Sequence, residues 1–304
     1  MSSLPLPLPD DGAAAELLRR AAPAEPGCRD ELRAGEHLRE PWRRFAQWLP
    51  DAGLGEELDR RAAQLAEQIR ADGVTHNVYG EEGSSARPWS LELLPYVIEP
   101  ADWAAVERGV VQRARLLDAM MADVYGERRL LREGLLPPAL VFRHPGYLRP
   151  LQGVLPAGGL HLPIIAFDVA RGAHGAWWVV AQRTQGPSGL GYVLHNRLLV
   201  SRQFPDAFRE MRVQHIASSY RRLLDTLEAL AGAVAGAESA RIALLTPGPY
   251  NETYFEHAYL ARYLGVPLAE GDDLTVRGDR LYMKTLEGLE PVHALLRRLD
   301  DDFC

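Results

Sequence analysis

The amino-acid sequence predicts a mixed α/β (α+β) protein, and three observations carry the prediction. Apolar residues recur at helical spacing over two long segments of the first 130 residues, two β-rich runs joined by a glycine turn follow, and a strand, turn, helix, strand succession lies near the C-terminus. With 304 residues, 47% of them hydrophobic, the chain can bury a full core and exceeds one small domain.

The elements follow in order. Residues 1–53 are rich in Pro, Ala, Arg and Glu and carry Trp42, Phe45 and Trp48 only toward the end, which reads as a loose leader and then a docking helix. Across Leu54–Ala71, Leu58, Ala62, Leu65 and Ile69 mark a surface helix that Gly73 ends. Residues 74–89 begin strand-like and become a Gly/Ser loop closed by Pro88. Residues 101–124 set Trp103, Val106, Val110, Ala114, Leu117 and Met121 on one face, predicting a long helix packed on a core. From 161 to 196 the pattern turns strand-like, with LPIIAFDV and WWVVAQ forming an antiparallel hairpin about Ala173-His174-Gly175. Residues 213–238 return to helix. Residues 241–245 are then a short buried strand, Thr246-Pro247-Gly248-Pro249 a tight turn, 251–264 a helix with Asn251 as N-cap, and 265–269 a strand parallel to the first. Residues 274–284 form a hairpin about Gly278-Asp279, and 295–299 one more strand.

Charge and composition exclude several functions. A net charge of −7 argues against a protein that grips phosphate backbones. Lys284 is the one lysine, so no GxxxxGK phosphate loop exists. Cys28 and Cys304 form no CxxC pair, and no run approaches the ~20 apolar residues of a membrane span. The first residues lack a basic, then apolar, signal, so a cytoplasmic setting is expected.

Few residues suggest chemistry on their own. The turn from Thr246 to Asn251 lies beyond the carboxyl end of a parallel strand, where it either holds an anion or simply caps the next helix. Alternation puts Asp168 on one face with Ala181 and Arg183, so that Asp168 either pairs with Arg183 or holds a magnesium ion, the pair being favoured. Arg87, Arg143, Arg197, Arg297 and Arg298 are candidate anion clamps. His76, His195, His215 and His257 stand near no GxSxG-type nucleophile and read as polar or core histidines unless the fold sets them in a cleft. Residues 300–302 are either metal-seeking carboxylates or a solvated end.

Five stretches carry a resemblance: HNVYGEEGSSARPW (76–89), VERGVVQRARLLDAMMADVYGERRLLREG (106–134), RTQGPSGLGYVLHNR (183–197), LLTPGPYNETYFEHAYLARYLGVPLAEGDDL (244–274) and LYMKTLEGLEPVHALLRRLDDDFC (281–304). With them the chain resembles the circularly permuted type 2 ATP-grasp proteins, relatives of the glutathionylspermidine synthetases. The resemblance implies a permuted ATP-grasp fold and ATP-dependent joining of a small-molecule or peptide carboxylate to an amine, with ATP and magnesium as cofactors. On its map, 1–53 is the leader and docking helix, 54–236 the permuted ATP-grasp portion, and 237–304 a pre-ATP-grasp βαβ unit. It assigns Ser188, Gly189 and Arg197 to ATP, Asp168 to the metal, Asn251, Glu252 and Arg87 to the substrate cleft, and Arg298 and Asp300 to catalysis. It also points to an α-E domain or transglutaminase-like protein as a partner, while the charge and the lack of a long apolar run lead us to expect no nucleic acid and no membrane.

Two departures qualify the expected activity. The Glu-x-Asn metal pair of the synthetase relatives falls on Ala181 and Arg183, which puts a cation where magnesium would sit. Relatives also continue beyond the stretch matching 281–304, into the part that brings the phosphate-contacting lysines. The expectation is an incomplete ATP-grasp chain that is inactive alone, the alternative being a non-catalytic binding or assembly module.

Overall fold

The computed structural model describes residues 12–76, 89–236 and 239–299. Helices α1 (Ala13–Arg20), α2 (Glu40–Ala46) and α3 (Leu54–Ala71) open the chain, with a two-residue ribbon, β1 (Arg33–Ala34) and β2 (His37–Leu38), between the first two. Helix α4 (Pro100–Tyr125) is followed by two short helices, α5 (Arg129–Arg132) and α6 (Pro138–Phe142), and by the hairpin β3 (Ala166–Arg171) and β4 (Trp177–Arg183). Helices α7 (Leu190–Gln203), α8 (Pro205–Glu210) and α9 (Ala217–Ala235) lead to β5 (Ile242–Leu245), α10 (Tyr254–Leu264) and β6 (Leu268–Ala269). The meander β7 (Leu274–Arg277), β8 (Arg280–Thr285) and β9 (Gly288–Val292) precedes β10 (Ala294–Arg297).

Two apolar cores meet at α7. The first gathers Leu17, Trp42, Phe45, Leu54, Leu65 and Ile69 against Tyr192, Leu199 and Phe204. The second gathers Leu227 and Ala231 of α9 and Leu260 and Leu264 of α10 over the parallel sheet β10-β5-β6, where all four β5 residues are buried. Each such leucine, taken out of water, contributes about 1.5–3 kcal/mol. The expected strand, turn, helix, strand unit is therefore present, with β10 completing a parallel sheet on the other edge of β5. The β7–β8 turn takes the mirror-image conformation that suits a two-residue hairpin, with positive φ at Gly278 and Asp279.

Four sequence expectations change. The leader is not wholly loose, because 13–20 is helical and buries Ala13 and Leu17. The strand-like pattern does not reach 196, since 190–203 is α7, whose apolar residues feed both cores and so show no single stripe. Asn251 does not cap α10. Its Oδ1 accepts from the Thr253 amide at 2.9 Å, an Asx turn that delays the helix to Tyr254 and leaves Thr253 as N-cap. Finally, α4 is formed as expected but buries only Val106 and Val124 among its residues, and Trp103 stays 43% exposed.

Candidate functional site

The ends of β5 and β10 and the first turns of α7 and α10 converge on Glu256. This carboxylate is wholly buried, and its Oε2 accepts the amides of Gly189 and Gly191, each at 2.8 Å. Its Oε1 accepts from Nη2 of Arg298, itself 5% exposed and just past β10. Two amides at a helix start carry partial positive charge, so the carboxylate satisfies the α7 N-terminus as a bound anion would. Only glycine fits at 191, because a Cβ there would lie 2.5 Å from the Glu256 carbonyl oxygen.

Beside it, the Thr246–Asn251 turn is locked through His257, which is 1% exposed. The Thr253 hydroxyl donates to Asn251 Oδ1 at 2.7 Å, so it can only accept from His257 Nε2 at 3.0 Å. Nδ1 is then the acceptor for the Thr246 hydroxyl at 2.9 Å, whose oxygen takes the Gly248 amide at 3.2 Å. The network admits one neutral tautomer of His257. Burial, with the nearby Arg298 charge, pushes its pKa down to about 3. Burial and the Glu256 and Glu252 charges likewise push the Tyr192 phenol up to about 12.

On the β3–β4 hairpin, Asp168 lies opposite Ala181, and Arg183 donates to Asp168 Oδ2 at 2.8 Å. Both side chains are about half exposed. The pair fills the position that the resemblance assigns to magnesium, and among the described residues no group of three His, Cys, Asp or Glu side chains could hold a metal ion.

The remaining expected residues scatter. Gly189 lies at the site, but its amide is already given to Glu256, so it has none to offer a phosphate. Ser188 is exposed in the same loop. Arg197 sits on α7 with its guanidinium over the Phe208 ring at 5.7 Å, and burial lowers its pKa. It stacks where a clamp on ATP was expected. Glu252 is exposed beside the turn that Asn251 organises. Arg298 is consumed by Glu256 and has no surface to offer a substrate. Arg87 and Asp300 lie outside the described residues. Sequence reading missed Glu256 and Gly191, because partners 42 and 65 residues apart leave no local pattern.

One cavity adjoins these elements. It measures about 570 Å³ and is lined by one stripe of α7 and one of α10, with Asp72 at the end of α3. His195, 3% exposed, bonds Asp72 Oδ2 through Nε2 at 2.9 Å, while its Nδ1 has no partner. Burial works to raise the Asp72 carboxyl, but hydrogen bonds from His195 and Gln68 outweigh it and hold the group below its ordinary value. Arg202, Phe255, Tyr259 and Arg262 also line it.

The family described as circularly permuted ATP-grasp type 2 matches residues 95–304. An uncharacterized protein of Mycobacterium tuberculosis is 38% identical over 276 residues, 88% of this chain and 31% of that protein. An uncharacterized Synechocystis protein is 37% identical over 231 residues, 76% of this chain and 48% of its own length. A second uncharacterized M. tuberculosis protein is 36% identical over 247 residues, 81% and 44% respectively. The chain thus spans about a third to a half of the length of these relatives.

Proposed function

We propose a function from one premise: the chain belongs to the circularly permuted ATP-grasp type 2 family, which has an ATP-dependent, ligase-like scaffold. On our reading, 54–236 and 237–304 supply the permuted portion and the pre-ATP-grasp unit of a carboxylate–amine ligase related to the glutathionylspermidine synthetases. Its substrates are a small-molecule or peptide carboxylate and an amine, and the chain does not turn over by itself. The observation that carries this reading is Arg183 seated on Asp168.

ATP and magnesium belong to the family's chemistry, and the described residues do not fit them. Asp168 already has a cation, and Ala181 offers no oxygen where the synthetase relatives bring a second carboxylate. The α7 N-terminus, the ready anion site of this region, is closed by Glu256. No phosphoryl step is therefore assigned to these side chains.

A second reading, a non-catalytic assembly module that joins an α-E domain or transglutaminase-like protein, is favoured by exposed apolar residues such as Leu140, Leu155, Trp178 and Val180. One experiment separates the two. The purified chain is assayed for magnesium-dependent phosphate release from ATP, and manganese binding is titrated by electron paramagnetic resonance before and after Ala181→Glu with Arg183→Asn. The ligase reading expects no release, and manganese affinity at least about tenfold higher in the double variant. Phosphate release by the unaltered chain would overturn the inactivity, and unchanged affinity would favour the assembly module.

A further inference from the structure

We propose that the β3–β4 hairpin is a hinged arm, held by an ionic latch at its tip against residues 29–31 and the start of α4, and that it swings free without unfolding. The base of the arm is fixed, because Ile164 packs on the second core and Pro187 is buried. Between them no residue from 165 to 186 is buried or belongs to either core. The ribbon is held together by its own ladder, and little apolar burial keeps it docked.

What docks it is Arg171, the last residue of β3. Its Nη2 donates to Oδ2 of Asp102, in the first turn of α4, at 2.7 Å, and its Nη1 to Oε2 of Glu31 at 3.2 Å. Glu31 also pairs with Arg29 at 3.4 Å, and the tip of the hairpin closes over that arginine, since a Cβ on Gly175 would lie 3.2 Å from Arg29 Nη1. The guanidinium of Arg171 lies over the Trp177 ring at 5.3 Å. Two arginines and two carboxylates thus balance in one knot, their side chains between 13% and 27% exposed. The far side of the latch is firm, because Asp30 accepts the amides of Leu32 and Arg33 at 2.9 and 2.8 Å and Leu32 packs on the first core.

An ordinary surface salt bridge would explain a single contact. It does not explain one arginine gripping two separate segments from the free end of a ribbon that no core residue fastens. Among the described residues, the ion pairs joining the hairpin to other elements all run through Arg171. Closing also encloses the Trp177 indole N–H with no acceptor among the described residues, a penalty that opening to water removes. The latch is made of charges that water can take over, and the hinges are the irregular residues at 165 and 184–186, where Gly186 has φ +42°. Asp168 and Arg183 belong to the arm and travel with it.

Arg29, Glu31, Asp102 and Arg171 take no part in either functional reading, so this inference and those readings can fail separately. The test is pulsed electron paramagnetic resonance on the full chain, with spin labels at Ala173→Cys on the exposed tip and Ala63→Cys on α3. Cys28→Ser and Cys304→Ser remove the two native thiols. One narrow distance is expected at low salt. Arg171→Met should raise the population at other distances about tenfold, and so should Glu31→Gln with Asp102→Asn, which leaves the arm itself untouched. Sodium chloride at about 1 M should move the unaltered latch the same way. The urea midpoint, which reports the two cores, should stay as in the labelled parent. Unchanged distances in either variant or at high salt would overturn the proposal. So would a lower urea midpoint with unchanged distances, which would make Arg171 a folding contact only, or an equally broad distribution before any latch residue is altered.

Discussion

Glu256–Arg298 and Asp168–Arg183 are the same chemistry in opposite surroundings. The first pair is almost fully buried and its carboxylate takes two further amides, so that the starts of α7 and α10 and the end of β10 share one group. The second lies on a two-stranded ribbon in water. Burial makes the first pair costly to break, because one partner left alone is an uncompensated charge in a low-dielectric setting. Exposure lets solvent and salt take over most of what the second contributes. What the contrast teaches is that burial, more than the pairing itself, decides how far a carboxylate–arginine pair governs folding.

The largest test of that contrast is Arg298→Met. Leaving Glu256 buried with its amides alone is expected to cost about 3–5 kcal/mol, read as a lower urea midpoint. A loss under 1 kcal/mol would mean that the α7 amides hold the carboxylate unaided. Next comes Gly191→Ala, whose methyl must push Glu256 and its backbone away. About 1–3 kcal/mol should disappear in the same assay, and an unchanged midpoint would show that α7 and α10 can separate freely.

His257 extends the comparison to pH. Its folded pKa of about 3 lies below the ordinary 6.5, so on acidification the unfolded chain takes the proton first. Stability from this group is complete above pH 6.5 and is lost as pH falls toward 3, by up to about 1.4 kcal/mol per pH unit. His257→Asn should flatten the slope of urea stability between pH 6 and 4, and an equal slope would remove His257 as its source. The smallest effect belongs to the exposed pair. Arg183→Ala should move stability by no more than about 0.5 kcal/mol, and a larger shift would show that the ribbon depends on the bridge.

Much of this was legible locally. Periodicity marked α3 and α4, Gly73 marked the end of α3, and alternation on β3 and β4 put Asp168 beside Arg183, because each depends on residues within one turn or one hairpin. Helix α7 was not legible as a helix, since a helix covered on two sides has no polar face to reveal its period. The roles expected of Gly189 and Arg298 failed for a related reason: both residues are in the right place, but Glu256 reaches them first.

By itself the sequence determined the mixed α/β class, the parallel unit around β5, the family, and the occupation of the Asp168 position by an arginine cation. These follow from short-range sterics, hydrophobic period and residue order. Only the tertiary structure decided that the anion site at α7 is filled from within, that His257 is neutral, and that His195 is buried against Asp72. Those outcomes depend on which groups lose water together, and desolvation belongs to the assembled core and not to any stretch of chain.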